Sequence, residues 1–222
     1  MLFKVRVWDL PTRLFHWSLV LCFAGLLATA EVAGAAMAWH FRLGYATLSL
    51  LLFRLLWGVW GGRWSRFGTF GLAPATLLRY VRGEQTPALT VGHNPLGSVA
   101  VLVLLLLALL QAATGLFSAD ETVTAAGPLA RRATATWVHA ATVYHTQIGK
   151  ILLIVLVQLH IAAIVFHRMR RGENLVLPML TGDKQLREPF EAARDDARTR
   201  ALALGMLACC AAAILLLLRW AD

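Results

Sequence analysis

Five long apolar segments restrict what this chain can fold into. A hydrocarbon core about 30 Å thick requires roughly 20 apolar residues of α-helix to cross it. Of the 222 residues, 59% are hydrophobic and only 15% are charged, which lies outside the usual range of soluble globular proteins. The sequence therefore predicts an all-α integral membrane protein. The apolar segments are 14–33, 40–61, 96–118, 137–166 and 201–218.

The first apolar segment has the outline of a secretory signal peptide. Lys4, Arg6 and Arg13 precede it, and it ends in an Ala-Thr-Ala sequence that resembles a cleavage site. A signal peptide has plain aliphatic residues in its apolar region, whereas this segment contains Phe-His-Trp at 15–17. We therefore expect it to remain in the protein as a transmembrane helix.

The distribution of basic residues predicts the orientation of the chain. The connection 62–92 carries four arginines, and the fourth apolar segment is followed by the sequence HRMRRGE. Loops rich in Lys and Arg stay in the cytoplasm, so we expect the N-terminus to be cytoplasmic. In the opposite loop, 119–136, Asp120 and Glu121 offset Arg131 and Arg132. Membrane topology thus explains most of the net charge of +9, and a nucleic-acid partner is not expected.

Three connections between the apolar segments have a readable structure. Asn94 and Pro95 suit the N-cap and the first position of the third membrane helix. The sequence APATLLRYVRG, at 73–83, predicts a short amphipathic helix on the membrane surface. The polar segment 181–200 is expected to be a helical linker into the fifth membrane helix.

Four histidines within the apolar segments form two pairs by depth. His16 and His160 lie in the cytoplasmic half of the membrane and form the inner pair, whereas His40 and His145 lie toward the other side and form the outer pair. The 15 residues from His145 to His160 correspond to about 22 Å of rise and about 60° of rotation in an α-helix. Both side chains can therefore face one bundle interior at two depths.

Paired membrane histidines at two depths suit two haems. Haem iron takes two axial imidazoles, and helices that face each other can provide one each. Gly25, Gly44 and Gly115 would leave room for the macrocycles. With both axial positions filled, the iron could not readily bind a substrate, so the two predicted haems would carry out outer-sphere electron transfer.

Other roles for these histidines remain open. A membrane histidine can serve as an interhelical hydrogen-bonding residue. His139 is an alternative outer ligand, although a rise of about 31 Å from His160 would place it at the edge of the membrane. We expect His167 to be an interfacial residue. For His93, in the cytoplasmic turn, a local structural role, a position near a quinone and simple solvent exposure all remain open.

Three basic residues in the apolar segments are candidate partners of haem propionates. Arg54 lies on the inner side, and Arg42 and Lys150 lie on the outer side. The alternative is that these side chains extend toward lipid headgroups.

Several motifs together resemble the bacterial cytochrome b561 family, which is related to the b-type cytochrome subunits of nickel–iron hydrogenases. They are VWDLPTRLFHW, WHFRLGYATLSLLLFRLLWGVWG, GHNPLG, LQAATGLF and LHIAAIVFHRMRRGENLVLPMLTG. The resemblance covers roughly residues 4–182. It implies a four-helix, di-haem b transmembrane domain, here residues 1–182. The charged linker and additional C-terminal transmembrane helix expected at 183–222 are not part of the usual four-helix core of this family.

The resemblance also implies ligands and partners. By position, His16 and His160 would ligate the inner haem, and His40 and His145 the outer haem. The chain would reside in the bacterial inner membrane, surrounded by lipid. It would carry electrons in a respiratory chain between the quinone pool and a periplasmic partner, such as a di-haem c-type cytochrome.

Two other functions fit the sequence less directly. The family resemblance allows a superoxide:quinone oxidoreductase. A different class is a non-redox membrane anchor or metal transporter, which would require carboxylates or thiolates clustered near the histidines.

Overall fold

The computed structural model describes residues 1–84, 86, 89–120 and 125–221; Glu121 and the side chain of Asp120, part of the predicted charge balance, lie outside this description. The described chain is all-α in class, as predicted, and five helical segments in it are long and apolar enough to cross a membrane. The helices are α1 (Leu10–Val32), α2 (Met37–Trp60), α3 (Pro74–Val81), α4 (Pro95–Phe117), α5 (Ala135–Val143), α6 (Gly149–Arg171), α7 (Val176–Thr181) and α8 (Ala197–Ala221). Short strands are β1 (Phe3–Arg6), β2 (Ala119–Asp120), β3 (Ala125–Ala126) and β4 (Asp183–Leu186).

Helix starts follow from capping side chains. Gly97 N–H donates to Asn94 Oδ1 at 2.7 Å, and α4 begins at Pro95, which confirms the predicted N-cap and first position. Thr12 N–H donates to Asp9 Oδ1 at 2.7 Å, so Asp9 caps α1. Helix α1 consequently begins at Leu10, four residues before the predicted apolar segment. The predicted amphipathic helix is α3.

The prediction of a helical linker at 181–200 is wrong. Gly182 ends α7 with a positive φ of 91°, which glycine adopts without steric cost. The next four residues form β4, which pairs antiparallel with β1 from Phe3↔Leu186 to Arg6↔Asp183. Regular helix resumes only at Ala197. Tertiary pairing with the N-terminal strand therefore overrides the local helix preference of this polar segment.

The fourth apolar segment is not a uniform α-helix. Between α5 and α6 the chain makes a π-helical turn, Tyr144–Ile148, in which Gly149 N–H bonds to the carbonyl of Tyr144, five residues back. The estimate of 60° between His145 and His160 assumed regular α-helix and does not apply across this turn. π-turns within α-helices occur frequently at functional sites.

The chain divides into two compact units. Unit 1 consists of Met1–Phe15, Arg54–Val103 and Gln158–Gly205. Unit 2 consists of His16–Phe53, Leu104–Val157 and Met206–Asp222.

Unit 1 combines a small apolar core with a group of ion pairs. Its core contains Val5, Val7, Trp8, Val91 and Leu186. At the edge of the sheet, Arg6 contacts Asp183 at 2.6 Å and Asp195 at 2.7 Å.

The carboxylates around Arg6 have shifted titration. Burial alone would raise the pKa of Asp183, but hydrogen bonds from Arg6 and Lys4 outweigh burial and hold this pKa below its usual value. The hydrogen bond to Asp183 raises the pKa of Arg6 in turn. The ion pairs thus favour the charged forms of both partners.

Unit 2 is held by apolar packing between helices. Leu48 of α2, Leu116 of α4, Leu129 and Ile214 of α8 form its buried core. Arg132 donates to the carbonyls of Trp220 and Ala221 and lies 4.1 Å from the centre of the Trp220 ring. The part of α8 that follows Gly205 therefore belongs to the unit 2 core.

Candidate haem sites

The outer histidine pair is brought together within unit 2. His40 lies in the first turn of α2, and His145 lies in the π turn between α5 and α6. Their ring centroids are 6.2 Å apart, and the ring planes are nearly perpendicular at 88°.

Both imidazoles of this pair are oriented by backbone carbonyls. His40 Nδ1 lies 3.1 Å from the carbonyl of Leu26 and 3.2 Å from Thr29 Oγ1, whereas His145 Nδ1 lies 2.8 Å from the carbonyl of Gln111. A carbonyl oxygen can only accept, so Nδ1 carries the proton in each ring. The Nε2 lone pair then remains available. A histidine that binds a metal through Nε2 uses this tautomer.

The spacing of these rings fits two axial ligands of one iron. If each Nε2 lies about 2 Å from a shared metal ion and about 1 Å from its own ring centre, the two centres are about 6 Å apart. The observed 6.2 Å agrees with this value. The ring spacing is therefore compatible with one iron held by both imidazoles.

Glycines near the outer pair have three different surroundings. A Cβ on Gly115 would lie 2.7 Å from His145 Cε1, so the imidazole packs directly against the backbone of α4. A Cβ on Gly44, one turn after His40, would meet nothing within 4 Å, so open space adjoins this glycine. Gly25 was expected to leave room for a haem, but a Cβ there would lie 2.7 Å from Leu43 Cδ1. Gly25 instead allows α1 and α2 to approach each other.

The remaining histidines are in varied environments. His139, the alternative outer ligand, is exposed on α5. His167 Nδ1 donates to the carbonyl of Ala163 at 2.9 Å. His93 is half-buried between the rings of Trp8 and Phe70, with centroid distances of 4.6 and 5.1 Å, and lines a cavity of about 50 Å³. These contacts support a structural role for His93.

The inner pair is divided between the two units. His16 belongs to unit 2, where its ring meets the edge of Trp17 at 5.1 Å, and His160 belongs to unit 1. Both side chains are half-buried. Their shared ligation of one haem stays a prediction.

Arg54 is a buried cation in unit 1. Its side chain is only 3% exposed, its guanidinium lies 4.8 Å from the centre of the Phe67 ring, and Nη1 has no hydrogen-bond partner among the described residues. Buried donors are normally satisfied, because an unpaired one loses its hydration without compensation. A carboxylate such as a haem propionate would satisfy Nη1.

Asp9 interacts electrostatically with Arg54 but is occupied by other donors. This fully buried carboxylate accepts hydrogen bonds from Trp57 Nε1 and Ser65 Oγ, in addition to the capping bond from Thr12. A Cβ on Gly62 would lie 2.0 Å from Asp9 Oδ2, so only glycine fits there. Sequence reasoning missed this network, although an acidic residue directly before Leu-Pro is a recognisable cap signal.

The two outer basic residues have protein partners. Arg42 is exposed and its guanidinium lies 4.9 Å from the centre of the Trp39 ring. Lys150 Nζ lies 3.3 Å from Glu31 Oε1, with the side chains 37% and 73% exposed. Glu31 was not considered in the sequence interpretation, and its pairing offers Lys150 a second role besides contact with a propionate.

Within the described part of the chain, no group of three or more His, Cys, Asp or Glu side chains is arranged to hold a metal ion. The histidines of interest therefore occur as a pair and as separate residues.

The fold and the paired imidazoles define a class: a multi-pass membrane protein with a histidine pair suited to a b-type haem. The sequence profile of the prokaryotic cytochrome b561 family matches residues 7–182, and the chain belongs to this family. Membership implies haem b and electron transfer within the membrane.

Curated relatives agree with this assignment. The chain is 27% identical over 137 residues to the "Probable Ni/Fe-hydrogenase 1 B-type cytochrome subunit" of Escherichia coli strain K12, and the protein of the same name from Escherichia coli O157:H7 gives the same figures. The match covers 49% of this chain and 57% of each relative, so the chain spans little more than half of their length. No solved structure matches.

Proposed function

We propose that this protein carries electrons across the bacterial inner membrane through two b haems, between the quinone pool and a periplasmic redox partner such as a c-type cytochrome. The observation that carries the proposal is the outer pair, whose imidazoles lie 6.2 Å apart with both Nδ1 atoms held by protein oxygens. Family membership supports the b-type haem.

His40 and His145 are the proposed axial ligands of the outer haem. When bound, haem supplies a one-electron iron couple that remains low-spin with two imidazole ligands. The carbonyls of Leu26 and Gln111 hold the protons on the Nδ1 atoms, so the Nε2 atoms remain electron donors. If both imidazoles hold the iron, these two side chains would exclude small molecules from it and limit the chemistry to electron transfer.

The inner haem is proposed from the sequence, with His16 and His160 as its ligands. Arg54 supports a carboxylate-bearing cofactor on that side, because Nη1 is buried without a partner among the described residues. Arg42 and Lys150 are proposed to act on the propionates of the outer haem. The positive charges of Arg42 and Lys150 would favour the reduced iron less strongly than the buried charge of Arg54 does, because solvent screens exposed charges.

The direction across the membrane follows from the distribution of basic residues. With a cytoplasmic N-terminus, the outer pair would face the periplasm and donate to, or accept from, a partner there. The curated relatives are described as subunits of a hydrogenase, and this chain is proposed to serve a redox partner in a comparable way. Quinone or quinol would react at the other end of the electron path.

Haem content of purified protein tests this function. We expect two b haems per chain, b-type bands in the reduced-minus-oxidised spectrum, and reduction by a water-soluble quinol. His40→Ala and His145→Ala should each lose one haem, whereas the matched control His139→Ala, at an exposed position on the preceding helix, should retain both. Absence of b-type bands in the wild type would reject the proposal, and two low-spin haems in either variant would reject that ligand.

A further inference from the structure

The π turn leaves one backbone carbonyl for a partner outside its own helix. In an α-helix the carbonyl of His145 would accept from Gly149 N–H, four residues later. Gly149 N–H bonds to Tyr144 instead, and the carbonyl of His145 accepts from Gln111 Nε2 at 2.8 Å. An amide on α4 thus satisfies the carbonyl of a candidate haem ligand.

A second hydrogen bond runs between the same two residues in the other direction. His145 Nδ1–H donates to the backbone carbonyl of Gln111 at 2.8 Å. Gln111 therefore holds both the backbone of His145, through its side chain, and the imidazole, through its main chain. Two attachment points restrict the position and the direction of the ring more than either would alone.

The surroundings are shaped to admit this arrangement. A Cβ on Gly149 would lie 2.1 Å from Gln111 Oε1, and a Cβ on Gly115 would lie 2.7 Å from His145 Cε1. The first glycine makes room for the amide and the second makes room for the imidazole. The orientation of the amide is settled because a carbonyl accepts only from N–H.

The other outer histidine is held differently. His40 Nδ1 contacts the carbonyl of Leu26 and the hydroxyl of Thr29, both on α1. These contacts orient the ring, and among the described residues no side-chain amide donates to the backbone of His40, which lies in α2. The reciprocal attachment is thus specific to the ligand in the π turn.

We propose that Gln111 is a positioning residue of the outer haem site, which acts through His145 to set the orientation and basicity of that axial imidazole. The inference rests on the proposed function. A displaced π turn would lengthen the bond from Nδ1 to the carbonyl of Gln111 and make the imidazole a weaker electron donor. A weaker donor stabilises ferric iron less, so the reduction potential of the outer haem should rise.

The test is Gln111→Met, which keeps the length of the side chain but removes the N–H donor. Gln147→Met is the matched control, because it makes the same chemical change within the π turn at an exposed side chain. Holoprotein of each variant is examined by haem content, redox titration and low-temperature EPR. The EPR signal of a bis-imidazole haem depends on the angle between the two ring planes. A general loss of stability would not change this angle at one haem alone.

Gln111→Met should retain two haems, with a higher potential and an altered low-spin signal for one of them, while Gln147→Met matches the wild type. The proposal is overturned if both potentials and both signals stay unchanged, or if both haems shift equally. Should Gln111→Met fail to accumulate, Gln111→Asn, which shortens the amide by one methylene, must produce the same one-haem shift. A wild-type protein without haem would instead reject the proposed function.

Discussion

Unit 1 and unit 2 are stabilised by different interactions. Unit 1 has a two-stranded sheet, ion pairs around Arg6 and a fully buried carboxylate, Asp9. Unit 2 has an apolar core and two histidines whose protons are held by backbone carbonyls. The comparison indicates that ion pairs and buried polar hydrogen bonds add to a small apolar core in unit 1, whereas apolar packing between helices dominates in unit 2. Substitutions that remove a charge should therefore affect unit 1 most, and substitutions that alter packing should affect unit 2 most.

The largest expected effect is on unit 1, from Asp9→Ala. This change leaves Trp57 Nε1, Ser65 Oγ and the N–H of Thr12 without their acceptor in a buried site, at a cost of about 3–5 kcal/mol. The thermal midpoint of the purified protein, followed by tryptophan fluorescence, should fall markedly. Glu188→Ala, at an exposed carboxylate, is the control. An equal midpoint in Asp9→Ala and the control would contradict the assigned importance of the Asp9 network.

Gly115→Ala tests unit 2 by overpacking. The added methyl group would lie 2.7 Å from His145 Cε1, so the imidazole must move, at a cost of about 1–3 kcal/mol. When the haem content of the purified variant is measured, we expect partial loss of one haem and full retention of the other. The control is Gly205→Ala on α8, where a Cβ would meet nothing within 4 Å. Full haem content in Gly115→Ala would show that the imidazole does not need this close approach.

The ion pairs of unit 1 predict a dependence on pH. The pKa of Asp183 is lowered, so its stabilising contribution is complete above the unfolded value of about 4 and is lost as the pH falls through the lower folded value. Asp183→Asn should reduce stability by about 1 kcal/mol at pH 7, and the difference between the two proteins should shrink as the pH falls toward the lowered folded pKa of Asp183. Thermal midpoints measured from pH 7 to pH 3 provide the check, and parallel curves would contradict the pairing.

The smallest expected effect separates two roles of Lys150. As a partner of Glu31 alone, this partly exposed side chain contributes less than about 1 kcal/mol, and Lys150→Met should leave both haem potentials unchanged. As a propionate partner, its loss removes a positive charge beside the outer haem and should lower that potential. Redox titration of Lys150→Met and Glu31→Gln distinguishes the roles. Only if Lys150 contacts a propionate should Lys150→Met lower the reduction potential of a single haem.

Features set by regular helical geometry were predictable from the sequence. Apolar length alone predicted the five helical segments of the described chain that are long enough to cross a membrane, and the Asn-Pro pair at 94–95 gave the start of α4. The closeness of His40 and His145 was expected, because a constant rise per residue in a helix gives the depth of each histidine in the membrane, and these two lie at similar depths.

Features that depend on distant contacts were not predictable. The π turn breaks the assumption of 100° per residue and is accompanied by the hydrogen bond from Gln111, 34 residues away from His145. Strand β4 finds its partner at the other end of the chain, so a polar segment with helical preference becomes extended. Gly25 was assigned to a haem because a glycine in a sequence does not reveal which neighbour approaches it.

The pairing of β1 with β4 also has a consequence for biosynthesis. The partner of Phe3, Leu186, is synthesised more than 180 residues after it. At 5–20 residues per second, the N-terminal strand waits roughly 10–40 s before it can pair. The first four membrane helices are thus synthesised while this strand is still unpaired. Closure of the sheet then depends on the arrival of the segment that leads into the last helix.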